Sequence, residues 1–247
     1  MKTTAFETLV APMSDHVGLI VKVADQTIFA HRAHQLFPAA SIIKLAILAT
    51  LMDQEEDMAK PIRLASQGVV GGAGVLQELG SGTYSLRDVA ALMISVSDNT
   101  AANLLIDYLG MATINDWLGQ NGYHETGLNR RLMDVGALKQ GRENTVSAAE
   151  SERLLVHLLT RYPVVRSWFF NQQFRYKLPG VFDELDTAVK VANKTGEGPY
   201  IDHDVAWFET DSQVVTVAVL TAGIPGRQQA LAFIQSIGQL IWQEMTQ

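Results

Sequence analysis

Between Ser41 and Met52 the chain reads SIIKLAILATLM, apolar nearly all the way round a helix and interrupted by a single lysine, Lys44. Such a helix has no face to offer water, so it must lie at the centre of a domain with other elements packed around it. Phe37-Pro38 upstream sets its boundary, because proline cannot continue a helix and restricts the residue before it. The material to surround it is present: 247 residues, 47% of them hydrophobic, too apolar for a disordered chain and long enough to bury a core without staples. Lys44 is then the anomaly, since an amine in an apolar interior must be paired or lose its proton.

Strand-like runs lie on either side of a helical block. Residues 16–34 read as two β-rich runs about a polar Asp25-Gln26 turn, after a helix within residues 1–14. Ser85-Leu86-Arg87-Asp88 and Ser147-Ala148-Ala149-Glu150 have the form of capping boxes that open helices, and Gly110 closes NTAANLLIDYLG. TAVKVANKTG, HDVAWFET and SQVVTVAVLTAG return to strand periodicity, with Asp202-His203-Asp204 read as a turn between them. The last helix places Leu231, Ile234, Ile237, Ile241 and Met245 on one face. These runs predict an α/β fold: an antiparallel sheet flanked by helices, built from both chain ends, with an inserted all-α domain. Residues 1–37 and 188–247 form the α/β domain, and residues 38–187 form the helical domain carrying Ser41, Ser97 and Glu125. From Asn121 to Asn144 periodicity disappears, and a loop of that length in a compact domain is expected to be functional.

Charge and composition exclude several classes. The net charge is −7 with no Lys/Arg cluster, which argues against a nucleic-acid surface. No cysteine means no disulfide, thiolate metal site or cysteine nucleophile. No run approaches the eighteen or so apolar residues of a membrane span, and the first residues contain no apolar signal core. As written the chain is expected to be a cytoplasmic monomer acting on a small molecule, or periplasmic or secreted if a leader has been removed. His31 and His34 have no third ligand in view, and His124-Glu125 does not continue to H-E-x-x-H, so no metal is expected. Arg130 and Arg131 are expected to anchor the loop on carboxylates such as Asp134.

Four short motifs carry chemistry: Ser41-Ile42-Ile43-Lys44, Ser97-Asp98-Asn99, Glu125-Thr126-Gly127-Leu128-Asn129 and Lys194-Thr195-Gly196. Ser41 and Lys44, three apart, share a helix face, and a desolvated lysine can act as the base that a serine hydroxyl needs to become a nucleophile. S-x-x-K alone is unspecific, but its combination in order with S-D-N and K-T-G is not a chance pattern. These motifs, with PAASIIKLAIL, LRDVAALMISVSDNTAANLLI and RRLMDVGALKQGREN, resemble class A β-lactamases and the wider penicillin-recognising serine enzymes, from about residue 15 to the C-terminus.

That resemblance implies the β-lactamase/transpeptidase-like fold and a serine β-lactamase that needs no cofactor. It implies Ser41 as the nucleophile and Lys44 as its partner in proton transfer. Ser97 would relay a proton to the departing nitrogen, and Asn99 would bind Lys44 or the substrate amide. Lys194 and Thr195 would bind the substrate carboxylate side, and the backbone N–H groups of Ser41 and Glu197 would form the oxyanion hole. Glu125, with Asn129, would hold the water that hydrolyses the acyl-enzyme. The alternatives are a D,D-peptidase or esterase of the same superfamily, or a penicillin-binding or sensor module that does not turn over, and Glu125 discriminates between them. Two residues depart from the pattern. Glu197 follows Lys194-Thr195-Gly196 where relatives carry a small or hydroxyl residue, and Gln213 is expected where many carry a carboxylate-binding arginine.

Overall fold

The computed structural model describes residues 3–55, 57–185 and 188–246; the expected domain boundary at residue 187 lies outside them. Strands Val17–Val23, Gln26–His31, Lys190–Gly198, Ile201–Glu209 and Val214–Ala222 form one antiparallel sheet. Val17–Val23 pairs with Val214–Ala222, Leu19 opposite Val219, so the two ends of the chain meet in mid-sheet. Lys190–Gly198 is one of the two edge strands, paired with Ile201–Glu209. Alternate side chains of a strand face opposite ways. Val17, Leu19, Val21, Val215, Val217 and Val219 therefore pack on Phe6, Phe233, Ile234 and Ile237 of the terminal helices Thr3–Val10 and Arg227–Met245. Ile20, Ala192, Val205, Trp207, Ala218 and Leu220 enter a second core shared with the helical block. The fold is thus the helix-flanked antiparallel sheet that the period changes predict.

The apolar run forms the helix Lys44–Gln54, whose residues from Lys44 to Leu51 are all buried, with helices Asn99–Leu109, Met111–Gln120 and Ala148–Arg161 packed against it. Fully burying a side chain such as Leu45, Ile47 or Leu48 contributes roughly 1.5–3 kcal/mol, so this helix is a main anchor of the block. The helix starts follow the capping chemistry. Ser85 Oγ accepts the Asp88 N–H at 3.0 Å and Ser147 Oγ accepts that of Glu150 at 3.0 Å.

Four readings change. The first hairpin turns at Ala24-Asp25, where Ala24 has φ +51°, and Gln26 already begins the return strand. Asp202-His203-Asp204 lies inside a strand and is buried, since the chain turns earlier, at Pro199-Tyr200. The last helix buries Phe233 and Gly238 while Leu231 and Met245 are only half-buried. A Cβ at position 238 would lie 2.4 Å from the Leu178 carbonyl oxygen, so the glycine lets backbone approach there and turns the helix face. The aperiodic stretch contains the short helix Val135–Lys139, capped by Asp134 Oδ1 accepting from Ala137 N at 2.8 Å.

Candidate active site

Ser41 lies in the single turn Ala40–Ile43 that runs directly into the helix Lys44–Gln54. Ser97 is held with φ +53°, a conformation that a non-glycine residue keeps only when its surroundings enforce it. Asp98, next along, supplies that enforcement. Its buried carboxylate caps the helix Asn99–Leu109 by accepting from Ala101 N at 2.9 Å, and also accepts the N–H groups of Val75 and Leu76 at 2.7 and 2.8 Å. The glycine-rich segment is thereby clamped onto the S-D-N motif. A Cβ at Gly74, which has φ +122°, would lie 2.3 Å from Asp98 Cγ, so this approach requires glycine.

Four oxygens surround Lys44 Nζ: Ser97 O at 2.6 Å, Asn99 Oδ1 at 2.8 Å, Ser41 Oγ at 3.0 Å and Ser97 Oγ at 3.1 Å. The first two only accept. A neutral amine satisfies both with its two N–H bonds and keeps one lone pair for a hydroxyl proton. Burial, and then the positive charge of Lys194, hold Lys44 well below the usual lysine range, with Asp98 opposing. Desolvation is the larger effect, as expected of a lysine with no exposed surface.

Lys194 is equally buried and donates to Ser97 Oγ at 2.9 Å and to the Thr195 carbonyl at 2.8 Å. Burial pushes it down to about 7 against the attraction of Asp204. Ser97 Oγ thus sits between two amines, with one proton to give and lone pairs to receive. Ser41, Ser97, Asn99, Thr195 and Glu197 face one cleft of about 690 Å³ between the sheet edge and the helical block. Sequence motifs separated by up to about 150 residues converge on it.

Glu125 and Asn129 do not. The segment is extended, bridged at Gly127 to Thr145, so alternate side chains face opposite ways. Thr126 and Leu128 turn inward, and Glu125 and Asn129 turn out. The buried Glu150 carboxylate fixes this register by accepting from His124 N, Glu125 N and Thr126 Oγ1 at 2.7, 3.0 and 2.7 Å. Glu125 instead meets the exposed His34, 3.0 Å from its Nδ1, and Asn129 Nδ2 donates to the Glu143 carbonyl at 2.8 Å. Neither side chain of the expected water-holding pair lines the cleft; the loop reaches it between Arg130 and Glu143, with Leu132, Met133 and Asp134 among the lining residues. Leu132 was missed because an apolar residue in an aperiodic segment carries no chemical signal. Its inward position follows from Asn103, whose Oδ1 and Nδ2 bond the Leu132 N–H and carbonyl at 2.9 and 3.0 Å.

The two departures also resolve differently. Glu197 does not stand alone: its carboxylate accepts from Arg227 at 2.6 Å, lies 3.4 Å from Lys177 Nζ and bonds the Tyr176 hydroxyl. Those contacts, led by Lys177 among the opposing charges, outweigh burial and lower its pKa. Gln213 lies in the Thr210–Gln213 turn, at the far end of the strands from Thr195, its N–H donated to Thr210 Oγ1 at 3.1 Å. Arg130 pairs with Glu143 at 2.8 Å and Arg131 with Asp107, whereas Asp134 is occupied as a helix cap. Among the described residues no group of three or more His, Asp or Glu is placed to hold a metal ion, and no helix is long and apolar enough to cross a membrane.

The chain resembles known proteins over nearly its whole length. A β-lactamase of Pseudomonas aeruginosa, CARB-4, is 24% identical over 244 residues, covering 91% of this chain and 84% of that one. The crystal structure of a β-lactamase from Sphaerobacter thermophilus superposes with a TM-score of 0.86 at 25% identity, covering 99% and 98% of the two chains. The penicillin-G acyl-enzyme complex of a PBP-A variant superposes with a TM-score of 0.81 at 21% identity, covering 99% and 97%. Residues 2–245 match the model of the β-lactamase enzyme family, and the chain belongs to that family.

Proposed function

We propose that the protein is a serine hydrolase that opens β-lactam amides and related acyl-peptides or esters through an acyl-enzyme at Ser41, and that it releases the acyl group slowly. The observation that carries this is Lys44 Nζ, 3.0 Å from Ser41 Oγ and buried without a carboxylate in contact. A neutral Lys44 takes the Ser41 proton as Oγ attacks the carbonyl carbon. The C–N bond then breaks, and the proton passes by way of Ser97 Oγ to the departing nitrogen, with Lys194 on the far side of that hydroxyl. The backbone N–H groups of Ser41 and Glu197, both residues of the cleft wall, are the proposed oxyanion donors.

Hydrolysis of the acyl-enzyme needs a base for water. Glu125 is engaged with His34, and the cleft carboxylates Asp134, Glu143 and Glu197 are each held by a cap or a cation. That favours the D,D-peptidase or penicillin-binding alternative over rapid β-lactam turnover by Glu125. Intact-mass spectrometry after benzylpenicillin tests it. A long-lived adduct is expected on the wild type and on Glu125→Gln alike, and none on Ser41→Ala. An adduct that vanishes within seconds on the wild type and persists only in Glu125→Gln would restore the β-lactamase mechanism.

A further inference from the structure

The carbonyl carbon that Ser41 attacks is planar and has three substituents. Its oxygen turns to the Ser41 and Glu197 N–H groups and its departing nitrogen to Ser97 Oγ, so the acyl substituent takes the one direction left. The wall left to it is chiefly apolar, with Leu132, Met133, Val135 and Leu138 on the loop and Pro199 and Ile201 at the end of the edge strand. Within six residues Met133, Val135 and Leu138 keep 51%, 55% and 42% of their surface in water, where a cover of apolar atoms would be favourable. The lip is held in that state by its own bonds. Asn103 brackets the Leu132 backbone at 2.9 and 3.0 Å, Val135 N donates to the Met133 carbonyl at 3.0 Å, and Asn144 Oδ1 accepts the N–H groups of Asn129 and Arg130 at 2.7 and 2.9 Å. Met133 keeps φ +65°, which a non-glycine residue adopts only under such constraint. The lip is therefore preorganised, and covering it costs little ordering entropy. The charged groups of the same wall are occupied, Arg130 with Glu143 at 2.8 Å and Asp134 Oδ1 as a helix cap. A cleft of about 690 Å³ also lies in the range of roughly 300–1,000 Å³ that encloses drug-sized ligands, with room for a substituent beside the reacting amide.

Resting on the Ser41 acylation proposed above, we infer that the lip of residues 132–138 and the facing segment 199–201 form a subsite for an extended aliphatic chain, and that the favoured substrates are acyl donors carrying one on the acyl side. The Thr195 side of the cleft is left to the rest of the donor, its carboxylate included. Ser41 Oγ bonds to the acyl carbon as the C–N bond breaks, the Ser41 proton leaves on that nitrogen, and the chain stays on the adduct, still covering the lip. Its methylenes take no part in the reaction, so their burial strengthens ground state and transition state alike. The gain therefore falls on the second-order rate constant and not on the rate at saturation.

Penicillanic acids bearing an acetamido, butanamido, hexanamido or octanamido group share ring, carboxylate and reacting amide, and differ only in chain length. Ser41 adduct formation is followed for each by intact mass over a range of concentrations. The second-order rate constant is expected to rise about twofold per added methylene, short of the roughly fourfold that full burial would give, while the saturating rate constant stays level. In the double variant Val135→Ser/Leu138→Ser the octanoyl-to-acetyl ratio is expected to fall at least about fivefold, in proportion to the lip area lost. Val164→Ser, which removes an equally exposed apolar side chain outside the cleft, should keep the wild-type ratio. The wild-type series needs no variant and stands even if the double variant folds poorly. A flat or falling series overturns the inference and leaves the acylation reading intact. A rising series unmoved by the double variant places the chain elsewhere and overturns the subsite. Labelling by none of the compounds defeats the acylation reading, and this inference with it.

Discussion

Lys44 and Lys177 are equally closed to solvent, but their neighbours differ. Lys44 Nζ is ringed by two carbonyl-type oxygens and two hydroxyls, with a second lysine close by. Lys177 Nζ lies 3.0 Å from Asp202 and 3.4 Å from Glu197, with the Gly196 and His203 carbonyls completing its shell. Burial alone therefore does not decide what a lysine does. With carboxylates in contact, the ammonium is a structural pin that ties the edge strand to the chain before it. With only neutral acceptors, the cheaper state is the free amine, and a free amine beside a serine hydroxyl is a base.

Exchanging either amine for an apolar side chain tests the contrast, and the effects should fall on different measurements. Lys44→Met is expected to slow Ser41 acylation about 10²–10⁴-fold, the range for losing a general base, while the thermal midpoint stays level or rises because no buried ion pair is broken. A variant acylated at the wild-type rate would take Lys44 out of the base role. Lys177→Met leaves the buried Asp202 carboxylate with only Arg227 at 3.5 Å, and should cost on the order of 3 kcal/mol in urea unfolding. If it costs nothing, the Lys177 ion pairs do not hold the edge strand.

A smaller effect, read from the pH dependence of stability, belongs to Lys194. Lys194 titrates at the ordinary 10.5 when unfolded and at about 7 when folded. Between those values the unfolded chain holds a proton that the folded chain lacks, so stability from this group falls as pH drops from 10.5 toward 7 and is level below. Lys194→Met should flatten that slope and be the more stable protein near pH 7, as read from denaturation curves at pH 7, 8 and 9. An unchanged slope would mean that Lys194 keeps its proton in the fold.

Much of this was legible beforehand because it rests on local chemistry. The Ser85 and Ser147 caps, the strand periods at both chain ends and the S-x-x-K, S-D-N and K-T-G residues are patterns of neighbours in sequence, and the structure places them accordingly. The orientation of Glu125 was not legible, because it is not a local property. Its five-residue motif says which groups are present but not which way an extended segment faces, and that was fixed from 25 residues away by Glu150. Glu197 looked like a bare negative charge for the same reason, since Tyr176, Lys177 and Arg227 reach it from distant segments.

By itself the sequence determined that Lys44 would be buried next to Ser41, because an all-round apolar helix has only one place to go and three residues bring a side chain back to the same face. It also determined the fold class, because the periodicity of burial is written residue by residue. Only the tertiary structure decided the surroundings that lower the pKa of that lysine, the orientation of the loop and the charges that meet in the cleft. Those depend on groups brought within about 4 Å from remote parts of the chain, and Coulomb and desolvation energies are set by that distance and by the water removed, not by separation along the backbone.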